Sequence, residues 1–332
     1  MIIMPLLAFV SVVVGIAVGS SFIPFVDVLK VISHKIFGTD ISGVSAIALA
    51  TIWEIRLPRV VFAFLTGAAV STSGAVIQSV LRNPLASPYT LGVSSGASLG
   101  AGIIFVTGLT LPVLSAFTLP LAGLVFGLGT VVLCIAFVTK IDRNLESTTI
   151  VLCGMVLSLF INAIFTLIST LSKDKMYIII KWQLGTFGSK RWDFIGILAT
   201  VLAISLIVLI FFSRELDLLT FGEEQAGAIG VETKKVKWLL LCVSSVLAGT
   251  AVAFAGVIGF IDLISPHIVR KLFTSKHRYL VFLSSMFGGI FMIVADLISR
   301  TVLSPREIPV GCITALIGAP FFAYVFFKRR RK

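Results

Sequence analysis

Between Arg59 and Arg82 the chain runs through residues 60–81 without one charged side chain. A helix rises 1.5 Å per residue and needs about 20 apolar residues to cross a bilayer, so this run reads as a membrane helix. Arg82-Asn-Pro-Leu-Ala-Ser-Pro-Tyr89 follows, and Pro84 and Pro88 cannot continue a helix, so the chain must turn there. The Gly/Ser/Ala-rich run to Gly102 then supplies a second helix. Small residues at near-fourfold spacing there, from Gly92 to Gly102, predict close helix packing.

The rest of the chain repeats this pattern. It is 58% hydrophobic and 13% charged, where soluble domains carry about 25% charge, which makes it a polytopic, all-α membrane protein. A net charge of +12 is a feature of nucleic-acid binders too, but here the basic residues are scattered at the ends of apolar runs. The positive-inside rule explains them better. Cys134, Cys153, Cys242 and Cys312 each lie in an apolar run without CxxC or metal-like spacing and read as buried free thiols. Met1 to Phe22 has no basic flank and is long for a signal segment, so it is expected to be the first span, although Val18, Gly19 and Ser20 imitate a cleavage site.

Apolar runs place ten spans near 2–22, 59–81, 90–109, 113–138, 148–170, 193–212, 237–256, 257–270, 279–299 and 308–327, all in one permease domain over 1–332. The eighth is short and glycine-broken, which membranes tolerate where protein or water surrounds it. Ten spans leave both termini on one side, and the tail Lys328-Arg-Arg-Arg-Lys332 assigns that side to the cytoplasm. Sixteen of the 27 Lys and Arg, Arg143 included, then fall inside. The eleven outside make that face basic as well.

Two segments depart from spans and short turns. In 24–51, Val28, Ile32 and Ile36 recur at helical spacing beside Asp27, Lys30 and Lys35, predicting an amphipathic interfacial helix. The longest cytoplasmic connection, 214–237, predicts short helical pieces separated by Gly222, Gly227 and Gly230, either a solvated loop or a docking platform. An echo also runs through the chain. Leu65-Thr-Gly-Ala-Ala-Val70 with Gly74 matches Leu247-Ala-Gly-Thr-Ala-Val252 with Gly256, and Leu85-Ala-Ser-Pro88 matches Leu263-Ile-Ser-Pro266. Five spans apart, the copies would form an inverted repeat of spans 2–5 and 7–10, a common transporter plan, with chance likeness of Gly/Ala-rich helices as the competing reading.

Catalytic constellations are poor. There is no Gly-Lys dipeptide, hence no Walker A loop, and no HExxH or GxSxG. His34, His267 and His277 lack metal-ligand spacing, so no metal site is expected. Asp262 and Asp296 are the carboxylates set well inside apolar runs; each is a functional suspect, or else it sits at a helix end or bonds within the bundle.

Arg56-Leu-Pro-Arg59, Gly67, Gly74, Gln78, Arg82-Asn-Pro-Leu-Ala86, Pro88, Leu91-Gly92 and Ser95-Gly-Ala97 resemble the signature of permease subunits of ABC importers for iron-siderophores, haem and cobalamin. The resemblance continues through Ser147-Thr-Thr, Trp182 with Gly185, Glu224-Gln-Ala-Gly-Ala-Ile-Gly230, Pro266-His-Ile-Val-Arg270, Ala295-Asp296 with Arg300, and Ile308-Pro-Val-Gly311 with Gly318 and Pro320. It implies a ten-span subunit of the bacterial plasma membrane that pairs with a second permease, two cytoplasmic ATPases and an extracytoplasmic binding protein. Arg56, Arg59 and Arg300 would dock acidic residues of that binding protein, which accounts for a basic outer face. Asn83, Leu85, Ser147 and Thr148 fall on the cytoplasmic gates; Glu223, Glu224, Gln225, Ala226, Gly227 and Gly230 fall on the ATPase-coupling helices. ATP and magnesium then belong to the partner ATPases, and no cofactor is expected on this chain. Where the family often has glycine, Asp262 stands here, free to cap a helix or pair with Arg270 or Lys271.

Thr148, Met155 and Asn162 stand seven apart on one face of the fifth span, with Ser158 and Phe165 beside it, a mixed wall suited to a large chelate. Interhelical hydrogen bonding is the other reading of Ser158 and Asn162. The expected function is permease subunit for a ferric siderophore, with haem or cobalamin as alternatives. The rivals are an ion-coupled secondary transporter and an intramembrane enzyme using Asp262, Asp296 and His267.

Overall fold

A computed structural model describes residues 3–19, 21–142, 145–188 and 190–330, with side chains described to 324. Met1, Ile2, Ser20, Arg143 and the tail residues Arg331 and Lys332 lie outside the described residues, as do the side chains of Lys328, Arg329 and Arg330. The fold is all helical: α1 Ile3–Ala17, α2 Phe25–Phe37, α3 Ala46–Ala50, α4 Leu57–Val80, α5 Val93–Thr107, α6 Thr118–Ile141, α7 Ser147–Leu171, α8 Met176–Gln183, α9 Trp192–Phe211, α10 Ser213–Phe221, α11 Glu223–Ala228, α12 Thr233–Ala255, α13 Ile261–Leu272, α14 His277–Thr301 and α15 Val310–Arg330. A π-helical turn, Thr51–Arg56, fuses α3 to α4 into one helix over 46–80.

Six helices are long and apolar enough to cross a membrane by length and composition: 46–80, 115–141, α7, α9, α12 and α14. Three of the remaining expected spans are shorter apolar helices, namely α1, α5 and Val310–Tyr324 of α15. The expected eighth span is α13, twelve residues long, entered through the non-helical segment 256–260. The carbonyls freed at the end of α12 find donors in the loop after α8: Thr186 N–H bonds Ala255 O at 2.9 Å and the Lys190 ammonium bonds Phe254 O at 2.7 Å. A broken helix persists in an apolar setting only when its backbone is satisfied in this way.

At the centre stands α4, packed against α14, α12, α13 and α9. Its glycines allow this. A β-carbon on Gly67 would overlap the carbonyl of Gly288 in α14, and one on Gly74 would overlap the carbonyl of Asp262 in α13. The Gly/Ser run of α5 packs likewise, with Gly96 and Gly100 against the backbone of α6, in line with the close-packing expectation. In contrast, only 22% of the most apolar window of α7 is buried within the chain, against 83% for the helix containing α4. One face of α7 is therefore left to other surroundings.

Four local expectations change. The helix expected at the interface, α2, buries Val28 and Val31, while Ile36 is 63% exposed, because the face turned to the bundle lies one residue round from the expected stripe. In the 214–237 connection Gly222 separates α10 from α11 and Gly230 takes a left-handed turn, but Gly227 lies inside α11. The two copies of the echo also differ: Pro88 sits in the non-helical turn after α4, and Pro266 inside α13. All four cysteines are free, but of the four expected to be buried only Cys134 is; Cys153, Cys242 and Cys312 are half-buried, since an apolar run in a membrane helix also has faces turned away from the bundle.

Candidate functional site

Polar side chains gather at the two ends of α4. At its start lie the arginines expected to dock a binding protein, and the structure turns all three inward, with Arg56 5%, Arg59 9% and Arg300 8% exposed. Arg56 donates to Ile16 O at 2.8 Å, Ala17 O at 2.9 Å and Ser21 O at 2.6 Å. It thus caps the C-terminal carbonyls of α1, where the helix dipole favours a cation. Arg59 bonds Asp296 through Nε at 2.9 Å and Glu307 through Nη1 at 2.6 Å. Arg300 donates to Gly15 O and lies 3.3 Å from the second Asp296 oxygen. Asp296, fully buried, is therefore the hub of an ion cluster joining α1, α4 and α14. The Glu307 side chain is 48% exposed and forms the open edge of that cluster.

Lys190 stands beside this cluster in the connection between α8 and α9, its ammonium 5.1 Å from the Phe62 ring centroid. Burial, with the nearby Arg59 charge, pushes its pKa down to about 8. An unfolded chain, with a lysine pKa of ~10.4, binds more protons than the folded one between these values, so stability rises with pH across that window. Relative to a Lys190→Met variant, the unaltered chain is expected to gain ~1–3 kcal/mol from pH 8 to pH 10.4, read as a growing difference in Tm. A pH-independent difference would contradict the assignment.

At the other end, Leu81 to Gly92 forms the proline turn expected from Pro84 and Pro88. Asn83 Oδ1 accepts the Leu85 amide at 2.9 Å, an Asx turn that holds the bend. Ser147 and Thr148 open α7 next to it. A cavity of about 540 Å³ is lined by Asn83, Ser147, Thr148 and Met155, among others. A second, of about 700 Å³, is lined by Arg82, Ser147 and Thr148 together with Glu223, Glu224 and Gln225 of α11. The two cavities adjoin through Arg82, Ser147 and Thr148, so the expected gate residues Ser147 and Thr148 stand between Asn83 on one side and the first turn of the expected coupling helix on the other. Leu85 is not in either lining; it projects at 49% exposure from the turn. Of the other coupling residues, Ala226 is buried and Gly227 faces open space.

The expected path wall divides. Thr148, Met155 and Asn162 do share an exposed face of α7. Ser158 and Phe165 turn instead toward α5, the hydroxyl of Ser158 toward Gly92 and the ring of Phe165 against Gly102, because α5 lacks side chains there and draws them in. Asp262 likewise differs from its expected pairing. It pairs with neither Arg270 nor Lys271 but, in the first turn of α13, accepts from Ser87 Oγ of the proline turn. Arg270 reaches Gln78 Oε1 at 2.5 Å and Ser79 Oγ at 3.0 Å. Lys237, Asp217 and His277, which sequence reasoning passed over, prove to be buried or bridging groups at this end.

The sequence model of the FecCD transport family matches residues 6–328. The chain belongs to the FecCD transport family. Relatives include the uncharacterized ABC transporter permease protein YvrB of Bacillus subtilis, 40% identical over 97% of this chain and 91% of that protein. The cobalamin import system permease protein BtuC of Halobacterium salinarum is 37% identical over 86% of this chain and 76% of its own. Among solved structures, a chain described as an inward-facing conformation of an ABC transporter of metal-chelate type superposes with a TM-score of 0.84 at 29% identity, covering 98% of this chain and 97% of that one. This FecCD chain is a multi-pass membrane protein and the permease subunit of an ABC importer, a transport component rather than an enzyme.

Proposed function

We propose that this FecCD chain forms half of the translocation path of an importer for a ferric siderophore, with a second permease copy or homologue, two ATPases and an extracytoplasmic binding protein. The pair of adjoining cavities supports the proposal: both are lined by Ser147 and Thr148, one reaches Asn83 and the other α11, so residues read as gates would lie beside the element that would receive the push of the ATPases. The exposed Thr148, Met155 and Asn162 face of α7, left unpartnered by its own chain, would then meet the substrate and the second permease. Relatives named for Fe(3+)-citrate import and iron uptake, 32% and 33% identical, support iron chelates as cargo. Others are named for hemin and molybdate, and haem or cobalamin is the second reading.

Both termini are then cytoplasmic, and the Arg59 cluster faces the binding protein. Docking at Arg56, Arg59 and Arg300 would proceed at the open edge, where a carboxylate of the binding protein exchanges with Glu307 on Arg59. ATP is bound and hydrolysed on the partner chains. The test is uptake into proteoliposomes carrying the assembled importer, with ferric siderophore, haem, cobalamin and molybdate offered in parallel. ATP-dependent accumulation of the ferric siderophore, absent for the others, is the expected result. Accumulation driven by an ion gradient without ATP, or of another cargo alone, would overturn the reading.

A further inference from the structure

The coupling segment touches the bundle interior at two points, and each leads to a different gate. The first is Lys237, in the opening turn of α12 and 1% exposed. A buried ammonium needs partners on every side. It takes Glu223 Oε1 of α11 at 2.7 Å and the carbonyl of Leu145. Leu145 holds a φ of 56°, a conformation that a residue with a β-carbon rarely adopts, two residues before gate residue Ser147. One ammonium thus ties the coupling helix to the strained turn that starts the gate helix α7.

The second point is Asp217 of α10. It accepts the His277 backbone N–H at 3.0 Å and meets His277 Nδ1 at 2.6 Å, while His277 Nε2 meets Ser79 Oγ at 2.6 Å. Arg270 joins Ser79 to Gln78, the Gln78 amide donates to Asp262 O at 3.1 Å, and Asp262 accepts from Ser87, two residues after gate residue Leu85. The network crosses α10, α14, α4 and α13 to end in the proline turn. The two networks share no side chain.

We propose that Lys237 and His277 are positioning residues that tether the coupling segment separately to the two gates, Lys237 to Ser147 and Thr148, and His277 to Asn83 and Leu85. Motion of α10 and α11 then reaches each gate through its own buried polar link. This rests on the coupling reading of residues 223–231 given above.

The test uses the importer copurified with its ATPases in nanodiscs, with Leu85→Cys or Thr148→Cys as reporter, both at exposed positions. A water-soluble maleimide reads the change in labelling rate on adding Mg-ATP and vanadate. Lys237→Met is expected to cut that change at least ~5-fold at the Thr148→Cys reporter and leave Leu85→Cys within ~2-fold; His277→Phe does the reverse, on the usual scale of site–site coupling. Lys237→Arg, which keeps a cation within reach of both partners, restores the response. Equal losses at both reporters, no loss at either, or Lys237→Arg failing as Lys237→Met does would overturn the proposal. Where a variant does not assemble with ATPases, hydrogen exchange of the permease alone gives the answer. Lys237→Met must accelerate exchange in 145–150 and not in 83–92, and uniform or absent acceleration overturns the tether. If ATP alters neither reporter in the otherwise unaltered chain, it is the coupling reading that fails instead.

Discussion

Asp296→Ala is expected to lower the stability of the permease by ~3–5 kcal/mol, because it leaves two buried guanidiniums facing each other without their shared counter-charge. Asp296 is fully buried, 2.8 Å from Arg59 and 3.3 Å from Arg300, and Glu307 alone balances only the outer edge. A drop in Tm in detergent, with loss of folded protein on size exclusion, measures it. Pairing the change with Arg59→Met removes one of the two stranded charges and is expected to recover part of the loss, since breaking an ion pair costs more than replacing it by apolar groups. A single variant that melts with the unaltered chain would show that the cluster does not hold α1, α4 and α14 together.

Gly74→Leu is the second large effect. A β-carbon at this position overlaps a backbone oxygen of α13, and backbone cannot rotate aside as a side chain can. Separating α4 from α13 is expected to cost ~1–3 kcal/mol or more and to abolish transport, since the Gln78, Asp262 and Ser87 bonds span that crossing. Gly129 of α6 is the control. An added β-carbon there meets open space, so Gly129→Ala is expected to be neutral or to stabilise by up to ~1 kcal/mol through helix propensity. Equal Tm values for Gly74→Leu and Gly129→Ala would refute the close crossing.

These variants divide by how far their partners lie along the chain. The turn at Pro84 and Pro88, the helix through 60–81 and the break before α13 were all legible, because each follows from what proline, glycine and charge do to their own few residues. The expected gate and coupling residues rest on likeness to the family's motifs, and the geometry adds that two adjoining cavities, which share Ser147 and Thr148, reach Asn83 and α11. Lys237 was not. Next to Lys234 and Lys235 it reads as one more basic residue at a membrane edge, and nothing local announces that Glu223 and Leu145 enclose it. The same holds for His277, 60 residues from Asp217 and 198 from Ser79. The path wall shows the opposite error: helical spacing groups Ser158 and Phe165 with Met155, but the missing side chains of Gly92 and Gly102 in α5 decide where they point.

By itself, then, the sequence determined the solvent, the class and the helices: apolar runs bounded by charge must be helical in lipid, because the backbone has no other partner there. Tertiary structure alone decided the direction of the charges. Arg56, Arg59 and Arg300 read as an outward-facing basic surface and are folded inward onto Asp296 and the carbonyls of α1. The reason is that a charge near the end of a span takes the nearest complementary group in three dimensions. For Arg59 and Asp296 that group is 237 residues away.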